Sequence, residues 1–181
     1  MNRILMILFL GLILASCGQD NTNKKTELVD QNVSSNEIQL DTSMVAILPF
    51  DTTQYWIFEN AKQTDLCNSD LIIIENVLIK FLAEYNPKQE FEFNDISSKN
   101  PEYNLDIKNF IIDIERYNRQ YIPVINDKGE KEVWINCFCN SWGKNWRKEK
   151  IIVKDGGNCY FNLKINLHTK NYYDFMVNGD A

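Results

Sequence analysis

Few side chains in this 181-residue chain combine the type and spacing that catalysis needs. There is one histidine, His168. A cysteine–histidine nucleophile pair requires a thiol within hydrogen-bonding distance of the imidazole. His168 falls in a predicted turn, Cys159 lies in the strand before it, and the extended chain between them separates the pair by roughly 30 Å. Nothing in the sequence brings Cys137 or Cys139 nearer. A solvated turn histidine is the simpler reading. Zinc is disfavoured too, because Cys137-Phe138-Cys139 lacks the two-residue gap of a zinc knuckle and no second pair follows. The acidic pairs Asp113/Glu115 and Glu130/Glu132 sit among other charges, as solvated carboxylates do. Asp155-Gly156-Gly157 reads as a hairpin turn, not a phosphate loop. Asp41, Asp51 and Asp65 do not have calcium-loop spacing. No catalytic residue, metal site or cofactor is implied.

One stretch has the makings of a binding surface. It runs Ser141-Trp142-Gly143-Lys144-Asn145-Trp146-Arg147-Lys148 and on to Lys150. Trp142, Trp146, Lys144, Arg147, Lys148 and Lys150 gather rings and cations in a chain whose net charge is −6. Rings beside cations can stack on sugars or bases, or engage a lipid headgroup or a protein. The plainer alternative is a tryptophan closing the sheet edge, with lysines solvating the loop. The acidity of the whole argues against nucleic acid, which needs a basic footprint.

Cys67, Cys137, Cys139 and Cys159 are candidates for disulfides, which an exported chain permits. Four cysteines allow three full pairings, and the sequence does not choose among them. Cys137 and Cys139 lie two apart in a predicted strand, so they share a face and each reaches a neighbouring strand more readily than the other. Buried thiols are the alternative.

The start of the chain has the layout of an export signal: Asn2-Arg3, an apolar run from Ile4 to Leu14, then small residues. The run is short for a permanent membrane span. Leu14-Ala15-Ser16-Cys17 resembles the lipobox of bacterial lipoproteins. The resemblance implies that residues 1–16 are removed and that Cys17 becomes the acylated first residue, carrying a diacylglycerol thioether and an amide-linked chain such as palmitate. Several acyl chains give stable anchoring where one does not. Residues 17–40 are polar and aperiodic, as expected of a tether, leaving 41–181 as a single domain. Gly18, where an Asp would retain the protein at the inner membrane, favours an outer-membrane location, facing the periplasm or the surface.

Within 41–181, Met44–Phe50 reads as a first, edge strand. A helix follows, capped by Asn68 or Ser69, with Asp70 in its first turn. Leu71, Ile74, Leu78, Phe81, Leu82 and Tyr85 recur at helical spacing, and Ile73 and Ile79 broaden the apolar face. Asn86-Pro87 predicts its end. Phe91–Phe93 suggests a short strand, residues 96–104 a loop, and 105–117 a short helix or irregular chain. Tyr121–Ile125 and Glu132–Cys139 flank the hairpin turn Asn126-Asp127-Lys128-Gly129. Lys150–Val153 reads as a strand. Cys159, Phe161, Leu163, Ile165 and Leu167 alternate with polar residues in a longer one, and a last strand holds Tyr173, Phe175 and Val177.

These signals predict an α+β fold. One main helix near the start packs on a four- to five-stranded antiparallel sheet built mostly from residues 119–178, whose other face is partly wet. The element order resembles cystatin-like and NTF2-like domains, a likeness that transfers no functional residue. The C-terminal part, from Arg119-Gln120-Tyr121 to Tyr172–Ala181, resembles uncharacterised domains of lipoproteins from Bacteroidota-type bacteria. Together they lead to the expectation of a lipid-anchored envelope protein, non-enzymatic, that meets a protein or glycan partner and not nucleic acid. The alternatives are an inhibitor or immunity protein against a secreted enzyme or toxin, and a hydrolase or thiol enzyme.

Overall fold

A computed structural model describes residues 42–179. The leader, Cys17 and the tether lie outside the described residues. The fold is α+β, with one long helix against a mixed, mostly antiparallel sheet. The sheet comprises β1 (Val45–Ile47), β2 (Lys62–Gln63), β3 (Asn118–Ile125), β4 (Lys131–Phe138), β5 (Tyr160–Asn166) and β6 (Asn171–Val177). Its order is β1-β3-β4-β5-β6, with β2 also pairing β3. The initial strand is present but runs parallel to β3, Ala46 opposite Gln120, where only antiparallel pairs were expected. The long connection through the helix makes a parallel return available.

The helix α1 spans Asn68–Lys99, well past the break expected at Asn86-Pro87, and it takes in Phe91–Phe93, which are therefore not a strand. Two facts explain this. Pro87 and Ala83, the residue whose carbonyl loses its partner, are both exposed, so water replaces the missing N–H. Asn86 also clamps the backbone of Ile112, donating to its carbonyl at 2.8 Å and accepting from its N–H at 2.9 Å. Beyond the proline, Phe93 meets Phe110 edge to face at 5.3 Å, holding the extension down. The N-cap is Cys67, not Asn68 or Ser69. Asp70 reaches back to accept from the Cys67 N–H at 3.0 Å and from Lys131 at 2.8 Å, tying the helix start to β4.

The core lies between α1 and one sheet face. Ile74, Val77, Leu78 and Phe81 pack on Tyr121, Val133, Ile135, Cys137, Phe161, Leu163 and Ile165. Ile79 faces solvent, so the apolar face of the helix is narrower than its sequence suggests. Within the core, Arg119 pairs with Glu75 at 2.7 Å, and the Tyr121 hydroxyl donates to the same carboxylate at 3.3 Å. Residues 105–117 form two short 3-10 turns in irregular chain. In β6 the ladder skips a position opposite Leu163, and Asp174 takes a positive φ of 50°. The bulge turns Phe175 and Val177 onto the core with Tyr172, while Tyr173 and Met176 stay on the outer face.

Candidate functional site

The outer face of the sheet is neither open nor evenly wet. Two segments cover it. Leu48, Phe50, Ile57 and Phe58 lie over Ile122, Val124 and Trp134. At the other end, Ile151 and Trp146 lie over Phe138 and Tyr160. The second cover is the connection between β4 and β5, closed at its base by a disulfide between Cys139 and Cys159, whose Cα atoms are 5.2 Å apart. Cys137, inside β4 and two residues before Cys139, is a fully buried free thiol. Burial pushes its pKa well above the ordinary thiol value, only partly offset by Arg119.

Lys150–Val153 is not a strand. Its backbone is held by two amide side chains of the sheet. Gln120 donates to the carbonyls of Trp146 and Glu149 at 2.6 and 2.7 Å and accepts from the Ile151 N–H at 3.0 Å. Asn136 donates to the Ile151 carbonyl at 2.8 Å and to Gln120 at 3.2 Å. These contacts satisfy backbone groups that would otherwise be buried unpaired, so the segment lies flat without a ladder.

The predicted ring-and-cation cluster is divided by this arrangement. Trp146 is packed edge-on to Phe138 at 5.9 Å. Arg147 lies 4.3 Å above the Trp146 ring and donates to the carbonyls of Val45 and Ser43, fastening the start of β1. Both hold the loop to the rest of the fold. Lys144 and Lys148 are exposed on the loop. Trp142 is exposed and donates its indole N–H to the Tyr160 hydroxyl at 2.6 Å. Lys150 turns the other way, its ammonium 4.7 Å from the Trp56 ring centroid and 5.9 Å from that of Trp134. That nitrogen is buried without a hydrogen-bond partner among the described residues. Burial lowers its pKa, and Asp51 opposes the shift.

Between the two covers runs a groove. One stretch, about 160 Å³, is bounded by Trp56, Trp134, Ile151–Val153, Asn162 and Met176. The next, about 520 Å³, shares Trp56, Trp134, Asn162 and Met176 and adds Lys164 and Asp174. Trp56 and Trp134 meet at 89° with centroids 5.9 Å apart. Trp56 is 53% exposed and Met176 61%. Trp134 donates to Asn162 at 3.2 Å, and Lys164 pairs with Asp174 at 2.9 Å. An exposed indole and methionine above a sheet floor that carries amides and charges can bind a ligand with both apolar and polar surface. None of the residues lining the groove belongs to the ring-and-cation cluster singled out in the sequence. Trp134 was visible as an outward position on its strand, but nothing local placed Trp56 beside it.

His168 lies on the turn after β5, in a shallow open depression with Asp70, Glu130 and Lys131. Cys137 stands opposite Phe161, at the other end of β5. No group of three or more metal-binding side chains occurs among the described residues. No helix among them is long and apolar enough to cross a membrane. No protein-family model matches the chain, and neither does any curated protein or solved structure.

Proposed function

We propose that this is a lipid-anchored, non-enzymatic binding domain of the cell envelope, held through Cys17 and meeting its ligand at the Trp56–Trp134 groove. The groove carries the reading: Trp56, Trp134 and Met176 share one concave face with the Lys164–Asp174 pair, fixed by covers on both sides, and the Lys150 ammonium lies beside the two rings. The Leu14-Ala15-Ser16-Cys17 sequence supports the anchor. The Cys139–Cys159 disulfide suits an oxidising compartment such as the periplasm or cell surface. Trp142, Lys144 and Lys148 would flank the groove as a secondary contact.

The anchor is tested by mass measurement of the native protein and by fractionating cells that express wild type or Cys17→Ser. Wild type is expected in the membrane fraction with a diacylated, N-acylated Cys17, and the variant in the soluble envelope fraction. An unmodified Cys17 behind an intact leader would refute the anchored reading. For the groove, cell-envelope components retained by wild type, Trp56→Ala and Trp142→Ala are compared. Loss with Trp56→Ala and a smaller loss with Trp142→Ala are expected. Equal retention by all three would remove the groove from the account.

A further inference from the structure

We propose that the groove binds a carboxylate-bearing glycan, laid along β5 with its sugar rings against Trp56 and its charge towards the loop that follows β4. The proposal rests on the binding-domain reading and gives it a ligand class.

Charge is the first argument. The chain is acidic overall, at −6, yet of the six charged side chains between Trp142 and Lys154 only Glu149 is acidic. This basic loop forms one wall of the groove through Ile151, Ile152 and Val153. Lys150 has no carboxylate within ion-pair distance among the described residues and sits behind the Trp56 ring. Asp51 offsets part of its charge from beyond ion-pair distance, and a cation beside a low-dielectric wall still projects its field further than a solvated one. The site therefore favours an anion over a neutral ligand.

Shape and hydrogen bonding are the second. The apolar C–H face of a sugar ring complements the electron-rich face of an indole. Asn162 accepts from Trp134 through its carbonyl oxygen, which leaves its amide N–H groups to donate to a hydroxyl. The Asp174 carboxylate, paired with Lys164 but mostly exposed, can accept from another. From Tyr160 to Lys164 the floor extends about 13 Å, the length of a short oligosaccharide. An acidic peptide fits less well. The floor is a sheet face, not an edge, so it offers no ladder of backbone groups to an extended chain. The groove is also open along its length, unlike a cavity that encloses an acyl chain.

The test titrates the full-length protein with a panel of uronate polymers: polygalacturonate, polyglucuronate and polymannuronate. Fully methyl-esterified polygalacturonate serves as the same sugar without charge, and polyglutamate as charge without sugar. Indole fluorescence and affinity electrophoresis are the readouts. At least one uronate polymer is expected to bind, the ester at least tenfold more weakly, and polyglutamate not to compete. Trp56→Ala should weaken uronate binding at least tenfold with an unchanged far-ultraviolet spectrum. Lys150→Gln should narrow the gap between acid and ester. Binding of none of the three uronates, equal competition by polyglutamate, or unchanged affinity in Trp56→Ala would overturn the proposal. If the uronates fail while Trp56→Ala still loses envelope components, the glycan assignment falls and the binding-domain reading stands.

Discussion

Gln120 and Asn136 do more for this molecule than any catalytic-looking residue in it. Both lie on the outer strand face, where sequence alternation suggests water, and both are buried. Between them they satisfy three carbonyls and one N–H of the covering loop. Gln120→Ala would leave the Trp146 and Glu149 carbonyls without that donor, at a cost of about 2–3 kcal/mol. Chemical denaturation should show the loss, along with increased proteolysis between Trp142 and Val153. Wild-type stability in Gln120→Ala would mean the loop is held by its apolar contacts alone.

Tyr117 offers a pH test at the same scale. Burial, with Cys137 adding to it, pushes its phenol up to about 12, and its hydroxyl donates to the Asn158 carbonyl at 2.8 Å. An unfolded tyrosine titrates near 10, so the folded state holds the proton more tightly. The resulting stability is complete below pH ~10 and is lost as pH rises through ~12, about 2–3 kcal/mol in all. Tyr121 contributes in the same direction, since burial raises its pKa as well. Tyr117→Phe should flatten part of the decline in denaturation midpoint above pH ~10. Identical slopes for variant and wild type would assign the alkaline loss elsewhere.

At the scale of elements, periodicity was legible and termination was not. The alternation in β4 and β5 and the hairpin at Asn126–Gly129 follow from local preference, and Gly129 takes the positive φ of 80° that the turn needs. The helix break failed because the penalty at Pro87 depends on which way Ala83 and Pro87 face and on the distant hold of Asn86 on Ile112. The Lys150–Val153 strand failed because side chains from β3 and β4, not a neighbouring strand, take its backbone groups. Pro87→Ala should lengthen the uninterrupted hydrogen bonding of α1 and stabilise the fold by about 1 kcal/mol or more. A lower melting temperature in that variant would show that the proline shapes the Phe93–Phe110 contact.

The loop between β4 and β5 is an element closed by its disulfide, with the two cysteines 20 positions apart. Reduction should cost about 3 kcal/mol through the freed loop entropy of the unfolded chain. Cys139→Ser/Cys159→Ser should reproduce the loss and become insensitive to reductant. Equal melting temperatures for oxidised and reduced wild type would contradict the bridge.

For the whole molecule, the α+β class was readable because a long helical period precedes a run of alternating strands. The proposed groove was not, because it is assembled from three separated parts. Trp56 comes from the segment after β1, Trp134 from mid-sheet, and Ile151, Ile152 and Val153 from the loop after β4. The run of Trp142, Trp146 and cations draws attention to this loop, in which Trp146 and Arg147 hold the chain to the fold and Lys150 turns towards Trp56 and Trp134. No local pattern joins those parts. They meet because the two covers approach one another over β4 and β5.

The most direct test of that assembly is oxidative footprinting of the full chain, read residue by residue in intact cell envelopes and again after purification. Phe91 and Tyr103 serve as exposed references, at 76% and 60%. The account predicts that Trp56 and Met176 are protected in the envelope relative to those references and become reactive once the protein is purified. Equal reactivity of Trp56 and Met176 in both states would contradict a ligand in the groove.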